Sequence, residues 1–205
     1  HRVDRRQRQM CIRDRIRQTA NLAANLSDSF QAQFEQRWGH LNDIHVRSLA
    51  WLLDAPDLLD LQAPQWQGKI ASLRDRLPHD INDWLQALDN NPDDLHRYLN
   101  VQVFTRLGRY AEKLLAYYFE AWGVLAAHGV QVRAGKNSTI GEFDFLLRDG
   151  DGLLHWEFAT KFYLLESSGA GEDADYFVGP NLADTLGAKM NKILERQLML
   201  SLIHI

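Results

Sequence analysis

Cysteine is nearly absent: the 205 residues contain one, Cys11. A single thiol excludes an intramolecular disulfide framework and a cysteine-rich zinc site. Nowhere do roughly 18 apolar residues follow one another, so no segment reads as a membrane-spanning helix. Basic charge is also scarce, with 23 Lys and Arg against 27 Asp and Glu and a formal charge of −4. Bulk attraction to a polyanion is therefore not how this chain would grip one. What is present is 45% hydrophobic and 24% charged residues, a composition able to bury a globular core. The expectation is a soluble cytoplasmic protein with no membrane partner.

The few basic residues are unevenly placed. Six arginines fall within HRVDRRQRQMCIRDR, residues 1–15. Residues 5–15 resemble an in-frame translation of a sequencing adapter, and LSLIHI, residues 200–205, resembles the reverse complement of its end. Segments 1–15 and 200–205 are accordingly expected to be adapter-derived, and the rest a fragment of a natural protein. Setting aside the first segment removes six arginines and two aspartates, leaving 17 basic against 25 acidic residues and a net charge of −8. Cys11 goes with it, so no thiol chemistry is expected.

Two regions of different rhythm follow. Residues 16–100 form an all-α N-terminal region. Leu22, Leu26, Phe30 and Phe34 recur every four residues as one helical stripe over 16–38. A second helix is expected over 43–53, stopped at Ala55-Pro56 because a residue before proline avoids the α region. Shorter helices are expected in IASLRDRL and INDWLQAL. Residues 101–199 change character. A long amphipathic helix is expected from 99 to 127, followed by three β-rich runs, GVQVRAG, GEFDFLLRD and GLLHWEFATKFYLL. Asp149-Gly150-Asp151-Gly152 supplies a hairpin turn. A last helix begins after Pro180 with Asn181 as N-cap and Asp184 three residues on.

The chemistry-bearing residues sit in this second region. Strand alternation puts Glu142, Asp144 and Leu146 on one face of the second strand, and Phe143, Phe145 and Leu147 on the other. On the third strand, Glu157, Ala159, Lys161 and Tyr163 share a face, Trp156, Phe158, Thr160 and Phe162 take the other, and His155 is expected to turn away from Glu157. With the strands adjacent through the turn, Asp144 and Glu157 approach each other. Two carboxylates and an ammonium in a mostly apolar sheet are costly without a compensating cation. Hard oxygen donors suit Mg²⁺, which takes one or two carboxylates and keeps waters. The plain alternative is a solvated face with a cross-strand ion pair.

A helix bearing a glutamate, a meander with Asp on its second strand and Glu then Lys on its third, and a closing helix resemble the core of the PD-(D/E)xK nuclease superfamily. More closely, RLGRYAEKLL, GEFDFLLRDGDGLLHWEFATKFYLL and GPNLADTLGAKM, with HVRSLAWLLDAPDLL upstream, resemble an uncharacterised bacterial family of unknown function assigned to that superfamily, over residues 34–199. The resemblance implies a restriction-endonuclease-like α-β-β-β-α core, preceded by the all-α region. It implies Mg²⁺- or Mn²⁺-dependent hydrolysis of DNA or RNA, with Asp144 and Glu157 as metal ligands, Lys161 as catalytic lysine and Glu112 as a supporting carboxylate. One departure is plain: Ala159 stands where the superfamily has its lysine, and Lys161 lies about 6.6 Å further along the strand. The alternative is a nuclease-fold protein without catalysis that binds nucleic acid or another protein.

Flanking residues have simpler expectations. Arg133 and Lys136, and the helical stripe Lys189, Lys192 and Arg196, could contact phosphates, or form solvated faces. The six tryptophans read as packing residues. The histidines lack the i, i+4 spacing of a zinc site.

Overall fold

A computed structural model describes residues 29–57, 59–100, 105–135, 138–166 and 173–200. The chain divides into two compact units, His1–Pro92 and Asp93–Ile205. Both expected adapter segments except Leu200, and residues 16–28 of the first expected helix, lie outside the described residues. Among the described residues no helix is long and apolar enough to cross a membrane.

The first unit is helical. Helix α1 (Phe30–Trp38) starts at Ser29, whose hydroxyl accepts the Ala32 N–H, and α2 (Ile44–Asp54) starts at Asp43, whose carboxylate accepts the His45 and Val46 N–H groups. These caps satisfy donors that a first helical turn cannot pair. Helix α2 stops at Ala55 before Pro56, as the sequence requires. IASLRDRL forms only a 3₁₀ turn at Arg74–Arg76, and α3 spans Ile81–Asn90. Phe34, Trp38, Val46, Leu49, Leu53, Ile81, Leu85 and Leu88 are buried at helical spacing. At the end of α3, Asp89 accepts the backbone N–H groups of Asn42 (2.9 Å) and Asp43 (2.7 Å), tying it to the start of α2.

The second unit opens with α4 (Asp93–Leu99) and α5 (Leu107–Ala121). Helix α4 belongs here because Tyr98 packs edge-on against Tyr117 at 5.3 Å and the Lys113 ammonium donates to the Leu99 carbonyl at 2.8 Å. The expected 99–127 helix is therefore too long at both ends. Gly123, at φ +68°, ends it, since glycine takes the left-handed conformation without strain. The chain is already a strand by Leu125.

Three antiparallel strands form a meander in the order β1 (Leu125–Gly135), β2 (Ser138–Asp149), β3 (Gly152–Trp156). The expected hairpin is present, with Asp149 opposite Gly152 and Gly150 at φ +57°. Alternation on β2 also holds: Phe143, Phe145 and Leu147 are buried, Glu142 is exposed, and Asp144 and Leu146 lie between. Phe119 of α5 stands edge-on to Phe145 (5.3 Å) and Trp156 (5.8 Å), which fixes the helix on the sheet. Burial of a ring such as that of Phe145 contributes about 2–3 kcal/mol.

Beyond Trp156 the expectation fails. Strand β3 ends there, and residues 157–163 have no regular structure, so the alternation that put Glu157, Ala159 and Lys161 on one face does not operate. A small sheet pairs β4 (Leu164–Leu165) with β5 (Phe177–Val178). The last helix, α6 (Leu186–Lys192), starts four residues later than expected, with Thr185 rather than Asn181 as N-cap. The Gly179 N–H donates to the Asp184 carbonyl at 2.7 Å, which keeps residues 180–184 in a turn. A π-helical stretch, Ile193–Gln197, follows α6. The chain is a mixed α/β protein in which the N-terminal helices precede a small antiparallel sheet and α6 follows it.

Candidate functional site

Three elements bring carboxylates together: α5 supplies Glu112, β2 supplies Glu142 and Asp144, and the segment leaving β3 supplies Glu157. The half-buried Asp144 carboxylate accepts the Phe158 N–H at 2.9 Å. Burial pushes its pKa above the ordinary value. The Phe158 hydrogen bond opposes this, Glu157 and Glu142 add to it, and Lys189 opposes it. Glu112 is raised likewise, first by burial, then by Asp144 and Glu142, with Arg109 opposing and Glu157 adding. Each acid resists ionisation first because it is half-buried and then because its neighbours are acids.

Glu157 is placed differently from the sequence expectation. Its Oε1 lies 2.7 Å from His155 Nε2, and its Oε2 accepts the Gln197 side-chain amide. The His155 and Glu157 side chains are only 4% and 2% exposed. The expectation that His155 faces away is thus corrected: residues two apart share a side of an extended chain. His155 also stands edge-on to Phe143, ring centroids 4.6 Å apart.

Lys161 is half-exposed and lies 3.3 Å from Asp184 Oδ2. The cation that acts on Asp144 is Lys189. Arg133 is exposed on β1, where it donates to Gln131 at 3.0 Å; Lys192 is exposed on α6; Lys136 lies outside the described residues. Among the described residues no group of three His, Cys, Asp or Glu is placed to hold a metal ion. The structure therefore groups Glu112, Asp144 and Glu157 electrostatically without forming a three-ligand cage. It also adds Glu142, His155 and Gln197, and it brings Lys189, expected as a phosphate contact, within electrostatic reach of Asp144. Of these, His155 was within reach of sequence reasoning through its two-residue spacing from Glu157. Gln197 was not, because its role depends on where the last helix lies.

The site defines the class first: a mixed α/β protein with an acidic cluster, set between a helix and an antiparallel meander and flanked by lysine. Residues 47–204 match the family model described as a domain of unknown function (DUF1853), and the chain belongs to that family. No curated protein and no solved structure matches it.

Proposed function

We propose that this protein is a divalent-cation-dependent phosphodiesterase acting on DNA or RNA, a cytoplasmic bacterial enzyme built on a PD-(D/E)xK-like core. The observation that carries the reading is the raised pKa of Asp144 and Glu112, two half-buried acids from different elements, each lifted first by burial and then by neighbouring carboxylates, with Asp144 acting on Glu112. Such an arrangement costs stability unless a cation joins it. The donors present fit Mg²⁺ or Mn²⁺ in a limited sense. Two hard carboxylates suffice for an ion that keeps most of its waters, with Asp144 and Glu112 as the holding pair. When bound, the ion supplies charge neutralisation and a more acidic water. Lys189 contributes a positive charge beside Asp144 that can orient a phosphate oxygen. Lys192 and Arg196 extend that stripe for backbone contacts along a nucleic acid. The helix, three-strand meander, helix order over residues 107–192 agrees with the superfamily core.

The competing reading is a non-catalytic nuclease-fold module for nucleic acid or protein. It draws support from the pairing of Lys161 with Asp184 and from the engagement of both Glu157 oxygens. A nuclease assay with Mg²⁺ or Mn²⁺ on the full chain, beside Asp144→Ala and Glu112→Ala, separates the two. Cleavage by the parent that is lost in both variants is the expected result; equal activity in all three chains removes the catalytic reading.

A further inference from the structure

We infer that Glu157 is a positioning residue: clamped between His155 and Gln197, it ties the helical segment that carries Lys189 to the end of β3, beside Asp144. The inference deepens the proposed function and rests on it for the role of Lys189.

The clamp is defined by contacts on both carboxyl oxygens. His155 Nε2 holds one oxygen at 2.7 Å and the Gln197 amide holds the other. With side chains 4% and 2% exposed for His155 and Glu157, there is no room at this carboxylate for the water shell that Mg²⁺ retains. Gln197 reaches Glu157 from a π-helical stretch in which the Leu198 N–H donates to Ile193 at 2.9 Å. A π turn is a rare distortion that often accompanies a functional constraint. The residue after Glu157 donates its N–H to Asp144 at 2.9 Å. One peptide unit therefore joins the clamp to the acidic site. Lys189 precedes Gln197 by eight residues, about 12 Å or two turns along the axis, so a shift at Gln197 is carried to the lysine by a short rigid element.

The hydrogen bonds also specify the proton arrangement. A Glu157 carboxylate only accepts, so the Nε2–H of His155 and the amide N–H of Gln197 are its donors, and the buried His155 Nδ1 and Gln197 Oε1 have no partner among the described residues. Glu157→Gln can keep both contacts in two ways: its amide donates to His155 Nε2, which moves the histidine proton to Nδ1, or its carbonyl accepts the Nε2–H while its amide donates to a flipped Gln197 carbonyl.

The test uses the full chain and four variants, Asp144→Asn, Glu157→Gln, Glu157→Leu and Gln197→Leu. Mn²⁺ affinity is read from the paramagnetic resonance of the free ion, stability from thermal unfolding, and the His155 tautomer from its ring ¹⁵N shifts. The parent is expected to show the Nε2–H tautomer, and Glu157→Gln to retain the Mn²⁺ affinity and Tm of the parent. Glu157→Leu and Gln197→Leu are expected to lower Tm by about 5 °C or more. Gln197→Leu should also lower kcat with Mn²⁺ affinity kept. Loss of Mn²⁺ binding in Glu157→Gln to the level of Asp144→Asn, or an unchanged Tm in Glu157→Leu and Gln197→Leu, overturns the inference. A parent chain that binds no Mn²⁺ removes the proposed function alone; the Tm measurements still decide the clamp.

Discussion

The Lys161 ammonium lies 3.3 Å from Asp184 Oδ2, joining the irregular segment after β3 to the turn before α6. Both side chains are nearly half-exposed, at 48% and 43%, so the pair is worth at most about 1 kcal/mol. Lys161→Met is expected to leave Mn²⁺ affinity and hydrolysis near the parent values. Lys189→Met should lower the hydrolytic rate by about 10²-fold, as loss of one preorganised charge does. The reverse ranking in a side-by-side rate assay would return Lys161 to the site.

The raised acids make a pH prediction with a definite sign. Asp144 and Glu112 bind protons more tightly folded than unfolded, where carboxyls titrate near about pH 4. Their stabilising contribution is complete below that unfolded value and is lost as pH rises through their elevated native values. Near neutrality both oppose folding. Asp144→Asn should therefore raise Tm at neutral pH, with the gain shrinking toward about pH 4. Added Mg²⁺ should raise the Tm of the parent at neutral pH and do little under acid. Thermal scans across pH with and without Mg²⁺ check both, and a Mg²⁺ effect that is larger in acid would contradict the account.

In the helical unit, Asp54 is 6% exposed and accepts hydrogen bonds from Arg37 (2.8 Å) and the Trp38 indole N–H (2.9 Å), with Arg74 at 3.6 Å. Asp54→Ala leaves the buried indole donor unpaired, whereas the half-exposed arginines regain water. A loss of about 2–3 kcal/mol is expected, measured by urea unfolding. Asp54→Asn keeps an acceptor for the indole and should lose less. An equal loss in both would show that the charge, rather than the indole hydrogen bond, dominates.

Gly141 is held to glycine by packing. A Cβ there would collide with the Leu200 side chain, which is buried with Val132 and Phe143. Gly141→Ala should cost about 1–3 kcal/mol through overpacking. Leu200→Ala removes the obstacle at its own cost of about 2–3 kcal/mol. The double variant should consequently be less destabilised than the sum of the two, a coupling measurable by urea unfolding.

Much of the local structure was legible in the chain. Asp43 followed by an apolar stripe and closed by Pro56 specifies α2 almost to the residue. Asp-Gly-Asp-Gly specifies the β2–β3 hairpin, and the Phe143, Phe145, Leu147 alternation specifies which face of β2 is buried. The helix end near Gly123 was misplaced because a glycine turn overruled apolar spacing that continued past it, and the start of α6 because the Thr185 hydroxyl caps the helix in place of the expected Asn181. Asp144 was marked from strand alternation and Glu112 through the family resemblance alone; burial raises the pKa of both, and Asp144 adds to the rise of Glu112.

The sequence by itself determined α2, α3, the β2–β3 hairpin and the buried face of β2, because these follow from short-range periodicity and from capping and turn chemistry. Tertiary structure alone decided which partner each charged group took. Strand β3 stops at Trp156, so Glu157 turns inward to His155 and Gln197 while Lys161 swings to Asp184. Gln197 lies 40 residues from Glu157. Hydrogen bonds and ion pairs act over a few ångströms of space, and no spacing in the chain encodes a contact made by the docking of a distant helix.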